Sequence, residues 1–297
     1  MRVAVTGSTG LVGAALVERL RAEGHSVLRL VRSRSAGADT AHWDPDAGAL
    51  DAAALEGVDA VVHLAGENVG ARWTQEKKRR IRDSRVLGTG LIARAVAETK
   101  RRPRVLVSAS AVGWYGDRGD EVLTEESAPG TGWLAGVGRE WEAAAAPAVQ
   151  AGVRVVHPRF GLVQSAAGGA LQRLLLPFRM GVGGPIGGGR QWMSWISRED
   201  AVGVLMRMLD DERLSGPVNT LAGASRNLDY VAELGRQLHR PALLPVPAFG
   251  LRLLFGEMAD EGLLASQRCE PRRLLDVGHT FRHPTLGDAV AAGLRDT

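Results

Sequence analysis

The sequence predicts an α/β fold built on a doubly wound, mainly parallel sheet, and three observations lead there. Short apolar runs bounded by turn residues alternate with longer stretches of helical period, the pattern of repeated strand–helix–strand units. The first such run, RVAVT from residue 2, opens directly onto the glycine-rich segment GSTGLVG. The chain has 297 residues, 45% hydrophobic and 24% charged, which suits one large α/β domain or such a domain with a smaller lobe.

The elements follow in order. After the glycine segment, Leu11, Ala15, Leu16 and Leu20 recur at helical spacing, and Gly24 stands where a helix ends in a left-handed residue. Val27 to Val31 reads as the second strand and Val58 to Leu64 as a further buried strand. Thr74 to about Lys100 reads as one long helix carrying Ile81, Gly88, Leu91, Ile92 and Ala95 on one side. Arg104 to Ser108 is a strand, Leu134 to Val149 a helix and Val153 to His157 the next strand. Past Gln164 the texture turns glycine-rich and aromatic, then helical over SREDAVGVLMRML. These features predict a Rossmann-type sheet domain over residues 1–164. A smaller substrate lobe spans 165–297, with some of its segments returning to the sheet.

Charge and cysteine use narrow the function classes. The net charge is +4, spread over scattered arginines without a nucleic-acid motif, so no nucleic-acid partner is expected. One cysteine, Cys269, permits neither an intrachain disulfide nor a cysteine metal site, which fits a reducing, cytoplasmic setting. No apolar run approaches the length of a membrane span, so no membrane partner is expected. The seven histidines fall in no metal-binding spacing, and no metal is expected. The oligomeric state stays open, with a homodimer among the options.

The glycine segment carries the most specific chemistry. Gly7, Gly10 and Gly13 stand at the spacing of a dinucleotide loop, with Ser8, Thr9, Leu11 and Val12 between them. The first glycine allows the turn off the strand, the second lets backbone approach a pyrophosphate, and the third lets helix and strand pack closely. The helix start then offers free N–H groups and a positive dipole end. The second strand ends at Val31–Arg32, with Arg34 nearby, where NAD-binding chains place an acid for the ribose diol. A guanidinium suits a 2′-phosphate, so NADP is the expected cofactor, the bland alternative being a solvated surface arginine.

With these motifs in view, the chain resembles the extended short-chain dehydrogenase/reductases, and within them the atypical branch called epimerase family proteins. The likeness runs through TGSTGLVG, HLAGENV at His63 to Val69, Arg72–Trp73, SRVLGT from Ser84, LLPFRMGVGGPIGGGRQWMSWI, GPVN and RPALLPVPAF. It implies NADP-dependent epimerase or oxidoreductase chemistry on a small polar, nucleotide-linked substrate. It also implies cofactor contacts from Leu64, Ala65, Gly66, Arg80, Arg85 and Val163. Lys77, Lys78, Arg79 and Arg82, beside those arginines, read as a solvated helix face.

One departure stands out. Members of this family pair a tyrosine and a lysine four residues apart on one helix face for proton exchange. Here TGWLAGVGREWE puts Trp133 or Leu134 at the tyrosine place and Val137 or Gly138 at the lysine place. Ser110, in VSASAVGWYG, keeps the family serine's role of holding a substrate oxygen. Tyr115 is the nearby acid/base candidate, with packing as its plainer role. Ser108 reads as a strand-end hydrogen bonder. On the substrate side, Glu67, Asn68, Arg190, Gln191 and Trp195 are the candidate contacts, with Trp192 a possible stacking partner. Asp200 reads as a helix capper. The rival reading is an NADP-binding regulator or scaffold without turnover.

Overall fold

In the computed structural model, which describes residues 1–33, 37 and 39–296, a nine-stranded sheet forms the centre of the molecule. Its strands include β1 (Arg2–Thr6), β2 (Ser26–Val31), β3 (Thr40–Asp44), β4 (Ala49–Leu50), β5 (Ala60–His63), β6 (Val105–Ser108) and β7 (Ser110–Ala111). A short β8 (Val122–Leu123) lies off this sheet, which is completed by β9 (Arg154–Phe160) and, after β10 (Leu162–Gln164) and β11 (Trp192–Ser197), by β12 (Gly216–Thr220). The order is β12-β9-β6-β5-β1-β2-β3-β4, with β7 beside β9. All pairings are parallel except β3 with β4. The chain therefore starts in the middle and reverses direction between β1 and β5, the place where such sheets open a crevice at their carboxyl ends.

Helices cover both faces. They are α1 (Leu11–Ala22), α2 (Gln75–Glu98), α3 (Trp133–Ala143), α4 (Ala146–Gln150), α5 (Gly169–Arg179) and α6 (Arg198–Asp210). Val3, Val5, Val62 and Val107 pack with Leu16, Leu20 of α1 and Leu205, Met208 of α6. On the other face Ala4, Val61, Leu106 and Val155 pack with Ile92 and Val96 of α2. The alternation of side chains along each strand feeds both layers, which is why the strands read as continuous apolar runs.

The remaining elements are β13 (Gly223–Arg226), α7 (Asn227–Leu238), α8 (Ala248–Phe255), β14 (Arg268–Cys269), α9 (Arg272–Asp276) and α10 (Leu286–Arg295), with a π-helical turn at Ala259–Leu263. A second sheet, β10-β11-β13, is backed by α5, α7 and α10, whose Leu171, Phe178, Tyr230, Leu234 and Val290 form their own core. After residue 165, β12, α6 and α9 lie against the central sheet, β14 pairs with β8, and β11, β13, α5, α7 and α10 build this second layer. Among the described residues no helix is long and apolar enough to cross a membrane.

The expected strands and helices from Arg2 to His63 appear, with β3 and β4 in addition. The helix expected over Leu134 to Val149 is two helices, broken at Ala144 and Ala145 before Pro147 at the start of α4. Pro cannot donate the hydrogen bond that a continuous helix needs, so the turn there restarts.

Candidate dinucleotide and reaction site

The glycine loop closes on itself as the sequence spacing requires. Gly7 sits in the left-handed region at φ +64° and its carbonyl accepts from the Gly10 N–H at 2.9 Å. A Cβ on Gly7 would lie 2.9 Å from Ala65 N, and one on Gly13 only 2.1 Å from the Gly7 carbonyl oxygen. Both are backbone contacts that cannot yield. Helix α1 starts at Gly10 with no side-chain cap and no acid in its first turn. Its first intrahelical bond is Ala14 N to Gly10 O, which leaves the N–H groups of Leu11, Val12 and Gly13 pointing out of the helix end. A side-chain-free, uncapped helix start beside a glycine turn is the cradle a pyrophosphate needs. Ser8 is buried in this loop, while Thr9 and Gly10 are exposed.

Thr6 binds the loop to the neighbouring strand. Its hydroxyl donates to His63 Nδ1 at 2.7 Å and accepts from Leu64 N and Ala65 N at 3.1 and 3.2 Å. The two strands at the switch point are thus locked at the spot where Gly7 meets Leu64 and Ala65. Burial pushes His63 down to about 4, so the ring stays neutral; with its oxygen already accepting from two backbone N–H groups, the Thr6 hydroxyl is left to donate to Nδ1.

Val31 and exposed Arg32 end β2; Arg34 lies outside the described residues. Arg32 and Arg80 both act electrostatically on Glu67, whose carboxyl is held below its ordinary value, chiefly by its hydrogen bond from Lys77. Glu67 therefore belongs to the cationic corner at the end of β2. The sequence predicts it as a substrate contact. Asn68 caps its own turn, accepting from Gly70 N at 2.8 Å. Arg85 is half-buried across the Trp141 ring and donates to the carbonyls of Glu67 and Ile81 at 3.0 and 3.1 Å. Loss of solvent lowers it to about 10. It thereby shapes the backbone at Gly66, whose virtual Cβ would lie 3.5 Å from the Arg85 guanidinium carbon.

The other side of the crevice holds a network that sequence reasoning missed. Glu142 on α3 receives both Arg159 Nε and Nη2 at 2.8 Å, and Ser110 donates to it at 2.6 Å. Arg159 is 2% exposed, lies 3.6 Å over the Trp114 ring and donates to the Tyr115 hydroxyl at 2.9 Å. Tyr115 in turn donates to Asn219 Oδ1 at 2.7 Å. Two expectations are corrected here. Tyr115 is fully buried, its acidity suppressed by burial and its hydroxyl occupied on both sides, so it is a packing and hydrogen-bonding residue with no route to a substrate. Ser110 is buried and directed at Glu142, so its free hydroxyl hydrogen is already committed. Ser108, expected as a strand-end hydrogen bonder, has a buried hydroxyl that is unpartnered among the described residues.

At the start of α3, Leu134 packs with Trp73, Ile81, Met258 and Leu263, and a Cβ on Gly138 would lie 3.2 Å from Trp114 Cδ1. The helix start is capped from the far end of the chain, since Glu261 accepts from Trp133 N and Leu134 N at 3.0 and 2.6 Å. Apolar packing therefore fills the place of a proton-exchanging pair.

Of the substrate candidates, Arg190 is exposed and lines an open cleft of about 750 Å³ with Asp117, Asp120, Arg226 and Ser266. Gln191 spends its amide on the carbonyls of Ile186 and Leu263 at 3.2 and 3.3 Å. Trp195, 4% exposed and bonded to Ser225, is sealed by the β11–β13 pairing and offers no stacking face. Trp192 is the accessible indole, with Arg226 and Arg268 over its ring at 4.5 and 4.6 Å. Val163 lies in β10 opposite Ile196. Asp200 follows the cap instead of forming it: Ser197 caps α6, and Asp200 accepts from Ser197 and from the backbone of Arg282 and His283. Among the described residues no cluster of His, Cys, Asp and Glu could hold a metal.

Comparisons with known proteins agree with this fold. A model of the NAD dependent epimerase/dehydratase family matches residues 3–220, and a domain of unknown function matches residues 246–292. The chain is 45% identical over 290 residues to the epimerase family protein Mb2239 of Mycobacterium bovis, covering 97% of this chain and 96% of that one. It is 35% identical to the human epimerase family protein SDR39U1, covering 98% of each. The crystal structure of the human protein with NADPH superposes with a TM-score of 0.90 at 34% identity over 99% of both chains. A nucleoside-diphosphate sugar epimerase from Corynebacterium glutamicum superposes at 0.82 with 40% identity, over 99% of this chain and 58% of that one.

Proposed function

The chain belongs to the NAD dependent epimerase/dehydratase family, and from that premise we propose that it binds NADP(H) and serves redox or epimerisation chemistry on a small polar substrate. The observation that carries the cofactor choice is the end of β2: Arg32 is exposed there, Arg80 converges on the same corner, and no carboxylate of β2 occupies the ribose side. Gly7, Gly10 and Gly13 with the open start of α1 would hold the pyrophosphate, and Leu64, Ala65 and Gly66 would form the backbone wall beside it. When bound, the nicotinamide supplies or accepts hydride. The relative's NADPH supports this assignment.

This chain's own residues do the rest. Glu142 and Arg159 fix Ser110 and the β7 turn that carries it. Arg190 presents a cation to the open cleft, suited to an anionic substrate group. A second reading, an NADP-binding regulator without turnover, is favoured by one observation: neither Trp133 with Val137 nor Leu134 with Gly138, the pairs at that spacing on α3, can exchange a proton.

The test of the cofactor assignment is isothermal titration of NADPH and NADH against wild type and Arg32→Asp. The substitution removes a phosphate partner and adds repulsion, so NADPH affinity falls at least tenfold while NADH affinity changes by less than threefold. Equal losses for both dinucleotides would refute the assignment. Because the Ser110 hydroxyl is committed to Glu142, a Ser110→Ala variant should retain substrate turnover, and its loss would return Ser110 to the chemistry.

A further inference from the structure

Most of the exposed large hydrophobic side chains among the described residues lie in one region. Leu176 and Met180 stand one turn apart on the outer side of α5, opposite the buried Leu171, Leu175 and Phe178. Phe249 and Leu253 repeat that spacing on α8, where Leu251 is the buried residue. Leu243, in the segment that precedes α8, is 80% exposed; Leu253 is 75% and Phe249 74% exposed. The chain between these elements is laid side by side. Leu244 N donates to Gly183 O at 3.3 Å, Val246 N to Pro185 O at 2.8 Å, and Arg240 Nε to Arg179 O at 3.1 Å. Single exposed leucines need no explanation, but eight exposed large apolar side chains on two hydrogen-bonded segments do.

The charges around the patch select what covers it. From Ser165 to Arg198 the sequence holds four arginines and no carboxylate, and from Gln237 to Gly256 it holds Arg240 and Arg252 and no carboxylate. Among the described residues no acid pairs with Arg173, Arg179 or Arg240; only Arg252 has one, Asp260 at 2.9 Å. A second copy of this face would answer these arginines with more arginines and no carboxylate of the same segments, an unfavourable pairing. An apolar surface bearing negative charge at its boundary satisfies both features at once. We propose that this face is a peripheral membrane contact, with Leu243, Phe249 and Leu253 entering the acyl boundary of an anionic bilayer and Arg179 and Arg240 lying against its headgroups. The contact is superficial and needs no spanning segment. Arg173 and Arg72 tie α5 and α8 to the loop that follows β5, through the carbonyls of Gly70 and Leu253.

The test is co-sedimentation of the full chain with phosphatidylcholine vesicles, with and without phosphatidylglycerol. Wild type is expected to partition at least tenfold more strongly onto the anionic vesicles, less so as salt is raised. The double variant Phe249→Ser, Leu253→Ser should lose binding to both. The double variant Arg179→Glu, Arg240→Glu should lose the anionic preference, at about fivefold per arginine removed. All four side chains are exposed, so thermal unfolding and NADPH titration should match wild type and separate a lost surface from a lost fold. Failure to sediment, equal binding to neutral and anionic vesicles, or a dimer in sedimentation velocity that the serine variant abolishes would each overturn the proposal.

Discussion

Replacing Arg159 with leucine tests how the inner wall of the crevice is held. The substitution removes two charge-assisted hydrogen bonds to Glu142, each 2.8 Å, one to the Tyr115 hydroxyl at 2.9 Å, and the stacked contact with Trp114. Glu142, whose side chain is 13% exposed, would keep only the Ser110 hydroxyl as a donor. A buried charge stripped of its partner costs about 3–5 kcal/mol. For a chain near this size each kcal/mol moves Tm by about 2–4 °C, so the midpoint should fall by about 6–20 °C. Differential scanning calorimetry and urea unfolding measure both quantities. The pair also predicts non-additivity: Glu142→Leu alone strands the guanidinium, whereas the double leucine variant strands neither charge and should recover at least half of the summed loss. A single variant within about 0.5 kcal/mol of wild type, or a double variant equal to the sum of the singles, would show that the network is not coupled as the distances imply.

Three further outcomes follow from the geometry. Gly13→Ala places a methyl 2.1 Å from the Gly7 carbonyl oxygen, so the loop must open; NADPH affinity should fall at least tenfold by titration, with about 1–3 kcal/mol lost in urea unfolding. His63 is depressed to about 4 by burial against an ordinary 6.5, so the unfolded chain binds a proton the folded chain refuses; stability should fall as pH drops from 6.5 towards 4, by about 3 kcal/mol from this group, and His63→Gln should flatten that slope in calorimetry across the range. Ser197→Ala removes the acceptor for Asp200 N at 3.0 Å and should cost about 1 kcal/mol in urea unfolding.

The glycine loop was legible in the sequence because each of its demands is local. A positive φ, a close backbone approach and an uncapped helix start are each dictated by a residue lacking a side chain. The central strands were legible for a similar reason, since both faces are covered and almost every position is apolar. Strand β3 escaped notice because TAHWD, next to the two-residue edge strand β4, has one buried residue, Trp43, and offers neither alternation nor an apolar run. Trp195 was a fair candidate platform by residue type alone. What closes it is the antiparallel partner β13, some thirty residues away in sequence, and pairing at that distance leaves no local mark.

The Glu142–Arg159 pair did leave a trace. On α3 the buried stripe runs through Ala135, Val137, Gly138 and Trp141, and Glu142 falls four residues after Gly138 on that stripe. A carboxylate on a buried helix face requires a cation, and the neighbouring strand RVVHPRF carries Arg159 among apolar residues. Two charges, each out of place in its own element, point to one another even when the contact itself cannot be read. The absence of the tyrosine and lysine then acquires a structural meaning. With Leu134 and Gly138 small or apolar, Trp114 can settle against α3 and under the Arg159 guanidinium, and Ser110 is drawn to Glu142. The wall beside the crevice is therefore built from a fixed ion pair, and whatever proton exchange this site performs must use a group other than a tyrosine on α3.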